Sequence, residues 1–192
     1  DSYLNEEFDY KELNPETATY KEIVAKRVIF CEGFRVLENP FFSFLPIWPT
    51  KGEVIKIRIP SHKKLDYILS AGIYVLPLGN YEYIVGATYI HKELDEMVSD
   101  KGLSFLMDAI SKILDVDFEL IEAKAGVRPT VKDRKPLLGL HPLLIKLGVF
   151  NGLGTRGVLI GPSLSAQFCT NLTTKSNNIY FTENERLVSF FN

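Results

Sequence analysis

Apolar and polar residues alternate along this chain with two different periods. From Gly52 to Pro60 the alternation is strict, with Ile55, Ile57 and Ile59 on one side and Lys56 and Arg58 on the other. That is the pattern of a half-buried strand. Asp66 to Ala71, Tyr74 to Pro77 and Tyr81 to Tyr89 predict further strands, with Gly79-Asn80 as the turn between the last two. Short turns between successive strands imply antiparallel pairing. From Lys101 to Leu114 the period becomes helical, and Leu103, Leu106, Met107, Ile110, Ile113 and Leu114 share one face. Thr17 to Val24 and Lys26 to Cys31 predict two short strands. Phe118 to Ala125 and Leu144 to Phe150 predict two more, followed by a helix from about Pro162 to Leu172. The expected fold class is α+β, a mixed, largely antiparallel sheet with flanking helices. The polar, tyrosine-rich start breaks at Asn14-Pro15. The loop from Asn39 to Pro49 combines prolines that forbid regular structure with rings that need burial, so it is expected to pack on the core or on a partner.

Composition narrows the classes of function. With 46% apolar, 12% aromatic and 24% charged residues, the chain is an ordinary globular one. A net charge of -2 gives no electrostatic reason to expect nucleic acid or an anionic membrane as partner. No apolar run approaches the roughly eighteen residues of a membrane-spanning helix, and no leader pattern is present, so a cytoplasmic location is expected. Cys31 and Cys169 lie in apolar stretches and are expected to be buried free thiols. His62, His91 and His141 lack metal-ligand spacing and read as surface or structural residues, with His62-Lys-Lys64 a solvated turn; no metal is expected. Asp95, Glu96 and Asp100 suit the dipole at a helix start. Ser163 and Ser165 have no histidine placed to make a nucleophile, and the Asn171-Leu-Thr173 sequon falls at a helix end.

Two segments carry chemistry. In Gly126-Val-Arg-Pro-Thr130 an arginine precedes a proline, which fixes its own backbone and pushes Arg128 into an extended conformation. A guanidinium presented from stiff chain suits a carboxylate held by two parallel hydrogen bonds; the bland alternative is an arginine in a surface turn. The second segment, Gly152-Leu-Gly-Thr-Arg-Gly157, matches G-x-G-x-x-G, with Glu183 further on after a strand-like run. A nucleotide-binding βαβ unit is one reading. Against it, Pro162 favours a helix starting there, and little chain follows Phe181 to complete a sheet. A second use is open to the same atoms: bare backbone amides at a helix start favour a planar cofactor that becomes anionic when reduced.

Taken in order, several pieces resemble the D-amino acid oxidase and glycine oxidase superfamily of FAD-dependent oxidoreductases. They are Val28-Ile-Phe-Cys-Glu-Gly33, Lys51-Gly-Glu53, Tyr74-Val-Leu-Pro77, Ile84-Val-Gly-Ala-Thr88, Gly126-Val-Arg-Pro-Thr130 with Asp133, Pro136 and Gly139, and Asn151-Gly-Leu-Gly154 with Gly157 and Pro162. The resemblance implies FAD as cofactor and a small-molecule amine or amino acid as substrate. It implies substrate binding by Arg128 and Tyr74, and cofactor binding by Gly33, Gly152, Leu153, Gly154, Thr155, Arg156 and Gly157. It further implies three parts: residues 1–50 as the return segment of an incomplete FAD-binding domain, 51–125 as the substrate domain and 126–192 as a C-terminal FAD-contacting segment.

The chain also departs from that pattern. Leu78 stands where an arginine is common, and Arg156 is one place from a second arginine that some glycine oxidases carry. The family's N-terminal cofactor-binding glycine motif has no counterpart, and the chain opens on Asp-Ser-Tyr without methionine. The expectation is therefore the C-terminal part of an amino-acid-oxidising flavoenzyme, with weak or absent FAD binding by this chain alone. The alternative is a catalytically inactive substrate-binding or interaction module. Self-association is left open.

Overall fold

The computed structural model describes residues 2–60, 64–173 and 182–191; the turn expected at His62 and the strand-like run before Glu183 lie outside the described residues. After a 3-10 turn at Tyr10–Glu12 come β1 (Leu13–Asn14), β2 (Thr19–Tyr20), β3 (Ile23–Val24) and β4 (Val28–Phe30). A second 3-10 segment, Gly33–Glu38, precedes β5 (Thr50–Arg58), β6 (Leu69–Ala71), β7 (Ile73–Gly79) and β8 (Glu82–Gly86). Helix α1 (Asp100–Ile113), β9 (Glu119–Arg128), β10 (Leu137–Leu140) and β11 (Leu147–Asn151) follow, then a 3-10 turn at Gly154–Arg156, α2 (Gly157–Thr173) and α3 (Thr182–Phe191). The α+β class holds, with the strands divided among three sheets rather than one. The chain forms two compact units, Asp1–Trp48 with Pro129–Asn192, and Pro49–Arg128.

The first unit holds two small sheets. Strands β1, β2 and β3 form an antiparallel meander, while β11 pairs antiparallel with β10 and parallel with β4. Phe30, Phe42, Leu45, Leu137, Leu147 and Val149 are buried in its core, so the proline-rich loop does pack inward as its rings require. Strand β10 escapes the sequence pattern because all four of its residues are buried, and such a run shows no alternation.

Two expectations for this unit need correction. Cys31 and Cys169 are free but exposed. Each follows a buried phenylalanine, Phe30 in a strand and Phe168 in a helix, and the next side chain along either element turns away from the core. Helix α2 begins at Gly157, not Pro162, which lies inside it. Proline there removes a hydrogen bond to the carbonyl of Val158, a residue 96% exposed and so open to water. Gly161 lacks the Cβ that makes a helical conformation before proline costly. The first argument against a nucleotide-type turn therefore falls, since this helix does start within the glycine motif.

The second unit is a five-stranded sheet, antiparallel throughout, in the order β6-β7-β8-β5-β9. Helix α1 covers one face, where Leu106 and Ile110 pack on Ile55, Ile57, Ile59, Val75 and Val85. Ser99 caps the helix, its Oγ accepting from the Gly102 amide at 3.0 Å. The amide of Ser99 itself donates to Oε1 of Glu53 at 2.7 Å, which puts a buried carboxylate at the helix's positive end. Asp95, expected to complement that end, instead accepts from Lys51 Nζ at 2.6 Å, and this hydrogen bond holds its carboxyl below the ordinary carboxylate range.

Two predictions follow from this packing. Alanine is a better helix former than glycine by about 1 kcal/mol, yet a Cβ on Gly102 would occupy the place of Glu53 Oε2. Gly102→Ala should therefore destabilise the protein by about 1–3 kcal/mol in urea denaturation; a neutral or stabilising result would mean that the Glu53 carboxylate is not fixed. In the first unit, burial pushes the His141 pKa below its ordinary value of 6.5. Its Nδ1 accepts from the amides of Leu143 at 3.2 Å and Leu144 at 3.0 Å, roles a protonated ring would lose. A folded pKa below the unfolded one means that the neutral ring's contribution is complete above the unfolded value and is lost as pH falls below it. Melting temperature should drop as pH falls below about 6.5, and His141→Asn should flatten that slope; equal slopes would exclude the ring as its source.

Candidate functional site

The face of the five-stranded sheet opposite α1 is built on small residues. Directly paired residues of neighbouring strands share a face, so the register aligns Tyr74 with Gly86, Gly86 with Val54, Gly52 with Gly126 and Thr50 with Arg128. All lie on the side away from Ile55 and Ile57. Tyr74 and Arg128, both expected to bind substrate, thus come to one surface. Each is seated on a glycine. A Cβ on Gly86 would meet the Tyr74 hydroxyl at 2.9 Å, and one on Gly52 would coincide with the Arg128 guanidinium. Strand spacing and rise put these two seats roughly 8 Å apart. Nothing lies within 4 Å of the Cβ position of Gly126, so the surface beside Arg128 is open.

Proline at 129 leaves Arg128 extended, as expected, at the last position of β9. Its Nη1 donates to the Thr88 carbonyl at 3.3 Å, and its guanidinium carbon lies 5.0 Å from the centre of the Tyr89 ring, a cation–π contact. Tyr89 remains 64% exposed. A guanidinium carries five N–H donors, so a bond to one carbonyl leaves capacity for a carboxylate.

Behind this surface lies a buried polar cluster. Lys51 and Glu53 are 1% and 0% exposed. Lys51 Nζ lies 3.9 Å from Glu53 Oε1, the Thr88 hydroxyl donates to Glu53 Oε2 at 3.0 Å, and the Glu53 amide donates back to Thr88 Oγ1 at 2.9 Å. His91 Nδ1 is 3.2 Å from Thr50 Oγ1, a structural contact.

The other expected residues belong to the first unit. Gly33 and Gly152 are brought together by Asn151, whose Nδ2 donates to the Gly33 carbonyl at 2.8 Å and whose Oδ1 accepts from the Gly152 amide at 2.8 Å. Gly152 and Gly154 have φ of +69° and +55°, and the 3-10 turn that starts there has no side-chain cap at Leu153. Thr155 is exposed, Gly157 opens α2, and Arg156 Nη2 donates to the Arg134 carbonyl at 2.6 Å. Sequence reasoning gave no role to Asn151, Thr88, Glu53, Gly52 or Gly86. For Asn151, Thr88 and Glu53 the signal in the sequence is a polar residue inside or closing an apolar strand. Among the described residues no group of His, Cys, Asp and Glu is placed to hold a metal, and no helix is long and apolar enough to cross a membrane.

Known proteins resemble this chain in sequence and in fold. A glycine oxidase of Geobacillus kaustophilus is 29% identical over 62% of this chain and 32% of its own length. A glycine oxidase of Bacillus subtilis is 26% identical over 82% of this chain and 44% of its own. Among solved structures, iminodiacetate oxidase from Chelativorans sp. BNC1 superposes with a TM-score of 0.68 at 26% identity, covering 77% of this chain and 43% of that one. The chain thus spans less than half the length of these relatives. The family description of FAD dependent oxidoreductases matches residues 8–169. With the match running through both units, the chain belongs to the family of FAD dependent oxidoreductases.

Proposed function

We propose that this chain carries the substrate-holding part of an FAD-dependent oxidoreductase acting on a small amine that bears a carboxylate, an amino acid or a close imino analogue. The observation that carries the reading is the Arg128 guanidinium, laid over Gly52 on the open face of the sheet with Tyr74 seated on Gly86 roughly 8 Å away. That span suits a molecule with an acid at one end and an amine near the other. Glycine and iminodiacetate, named in the relatives, are both of this kind.

Gly33, Gly152, Leu153, Gly154, Thr155, Arg156 and Gly157 are the residues that would hold FAD. The fit rests on bare glycine backbone at positive φ, an uncapped helical turn whose amides favour negative charge, and exposed Val158 and Leu159 beside it. When bound, FAD supplies the acceptor for the hydrogen and electrons leaving the carbon next to nitrogen. Arg128 fixes the carboxylate and so orients that carbon; Tyr74 bounds the far side. The gain in rate from such residues is chiefly orientation.

The competing reading is a binding module without catalysis. One experiment addresses both. The chain is mixed with FAD, freed of excess, and examined for a retained flavin spectrum, which would contradict the module. Flavin-loaded protein is then bleached anaerobically with glycine or iminodiacetate. Arg128→Ala should raise the half-saturating concentration by the equivalent of about 2–5 kcal/mol without changing flavin content. Unchanged half-saturation would remove Arg128 from the site.

A further inference from the structure

We propose that Thr88 is a positioning residue for Arg128, acting by freeing its own main-chain carbonyl for the arginine; this rests on the substrate-holding role of Arg128 given above. Past Gly86 the ladder beside β5 slips by one residue. Gly86 pairs with Val54, whereas Ile90 exchanges two hydrogen bonds with Lys51, Ile90 N–H to Lys51 O at 3.0 Å and Lys51 N–H to Ile90 O at 2.8 Å. Ala87 is the extra residue. Hydrogen-bonded pairs recur at every second position of an antiparallel ladder, so Glu53 and Thr88 should exchange two bonds as well.

Only one of those bonds is regular. The Thr88 amide donates to the Glu53 carbonyl at 3.2 Å. The return bond is diverted: the Glu53 amide donates at 2.9 Å to the Thr88 hydroxyl, and the carbonyl it would have used accepts from Arg128 Nη1 at 3.3 Å. The substitution needs a side chain that accepts and donates at one atom. The hydroxyl proton goes to Glu53 Oε2 at 3.0 Å. Glu53 is held in turn by the Ser99 amide and by Lys51, and Lys51 by Asp95. The buried ions therefore fix the direction of one hydroxyl, and the hydroxyl fixes which way one carbonyl points. Without it, the Thr88 carbonyl returns to the Glu53 amide, and Arg128 loses its acceptor.

The test uses the 192-residue chain with iminodiacetate as probe, titrated by NMR in the wild type, Thr88→Val, Thr88→Ser, Arg128→Ala and the core control Leu106→Ala. The expected results are no saturable binding for R128A and affinity weakened about tenfold for T88V. T88S should bind within about twofold of wild type, and L106A should lose melting temperature while keeping its affinity. Wild-type affinity in R128A would overturn the site itself. Loss in R128A with wild-type affinity in T88V, or equal weakening in T88S and T88V, would leave the site standing and overturn the role of the hydroxyl. Should T88V fail to fold, or binding be too weak to titrate, the side-chain nitrogen spectrum of ligand-free wild type decides. Slow rotation of the Arg128 guanidinium is the expected result, and free rotation overturns the proposal.

Discussion

Glu53 places a carboxylate with 0% exposure in the middle of the second unit. An ionised group in such a place is costly unless its oxygens are satisfied. One oxygen takes the Ser99 amide at the mouth of α1, the other takes the Thr88 hydroxyl, and Lys51 supplies the countercharge. Satisfying a single group therefore fixes three things together: where the helix begins, how the segment after β8 runs, and where β5 lies relative to both. Gly102 belongs to the same solution, because the helix could not approach the carboxylate with a side chain at that position.

The two faces of the five-stranded sheet are built on opposite principles. The face under α1 is filled, with Ile55, Ile57, Val75 and Val85 buried against Leu106 and Ile110. On the other face the absence of side chains does the positioning: Gly52 and Gly86 are hollows that receive the guanidinium and the phenol from neighbouring strands. In the first unit a single amide group, that of Asn151, satisfies backbone at both Gly33 and Gly152.

What the sequence reveals and what it hides divide along the range of the interactions. The isoleucine alternation in β5 and the helical stripe of α1 are local patterns, and both elements stand where those patterns put them. Arg128 ends extended because its neighbour is proline, again a local cause. Lys51 and Glu53 read as the polar opening of a strand, yet both are buried, because their partners Thr88, Asp95 and Ser99 lie 35 to 46 residues away. The seats at Gly52 and Gly86 are invisible for the same reason. Helix α2 begins five residues before the proline that marks its start in the sequence, because a preceding glycine and an exposed turn override that local signal.

Strand β9 lies at the edge of its sheet, with β5 as its one neighbour there, and Arg128 is its final residue. The end of an outer strand is where a sheet frays most readily, and a long cation placed there would ordinarily sample many orientations. Thr88 and Tyr89 reach it from outside its own strand, so its direction does not depend on that edge alone. The consequence is kinetic as well as energetic. In the substrate-holding role proposed for Arg128, an arriving anion would meet a cation already facing it, and encounter would lead to capture without a wait for the receptor to reorganise.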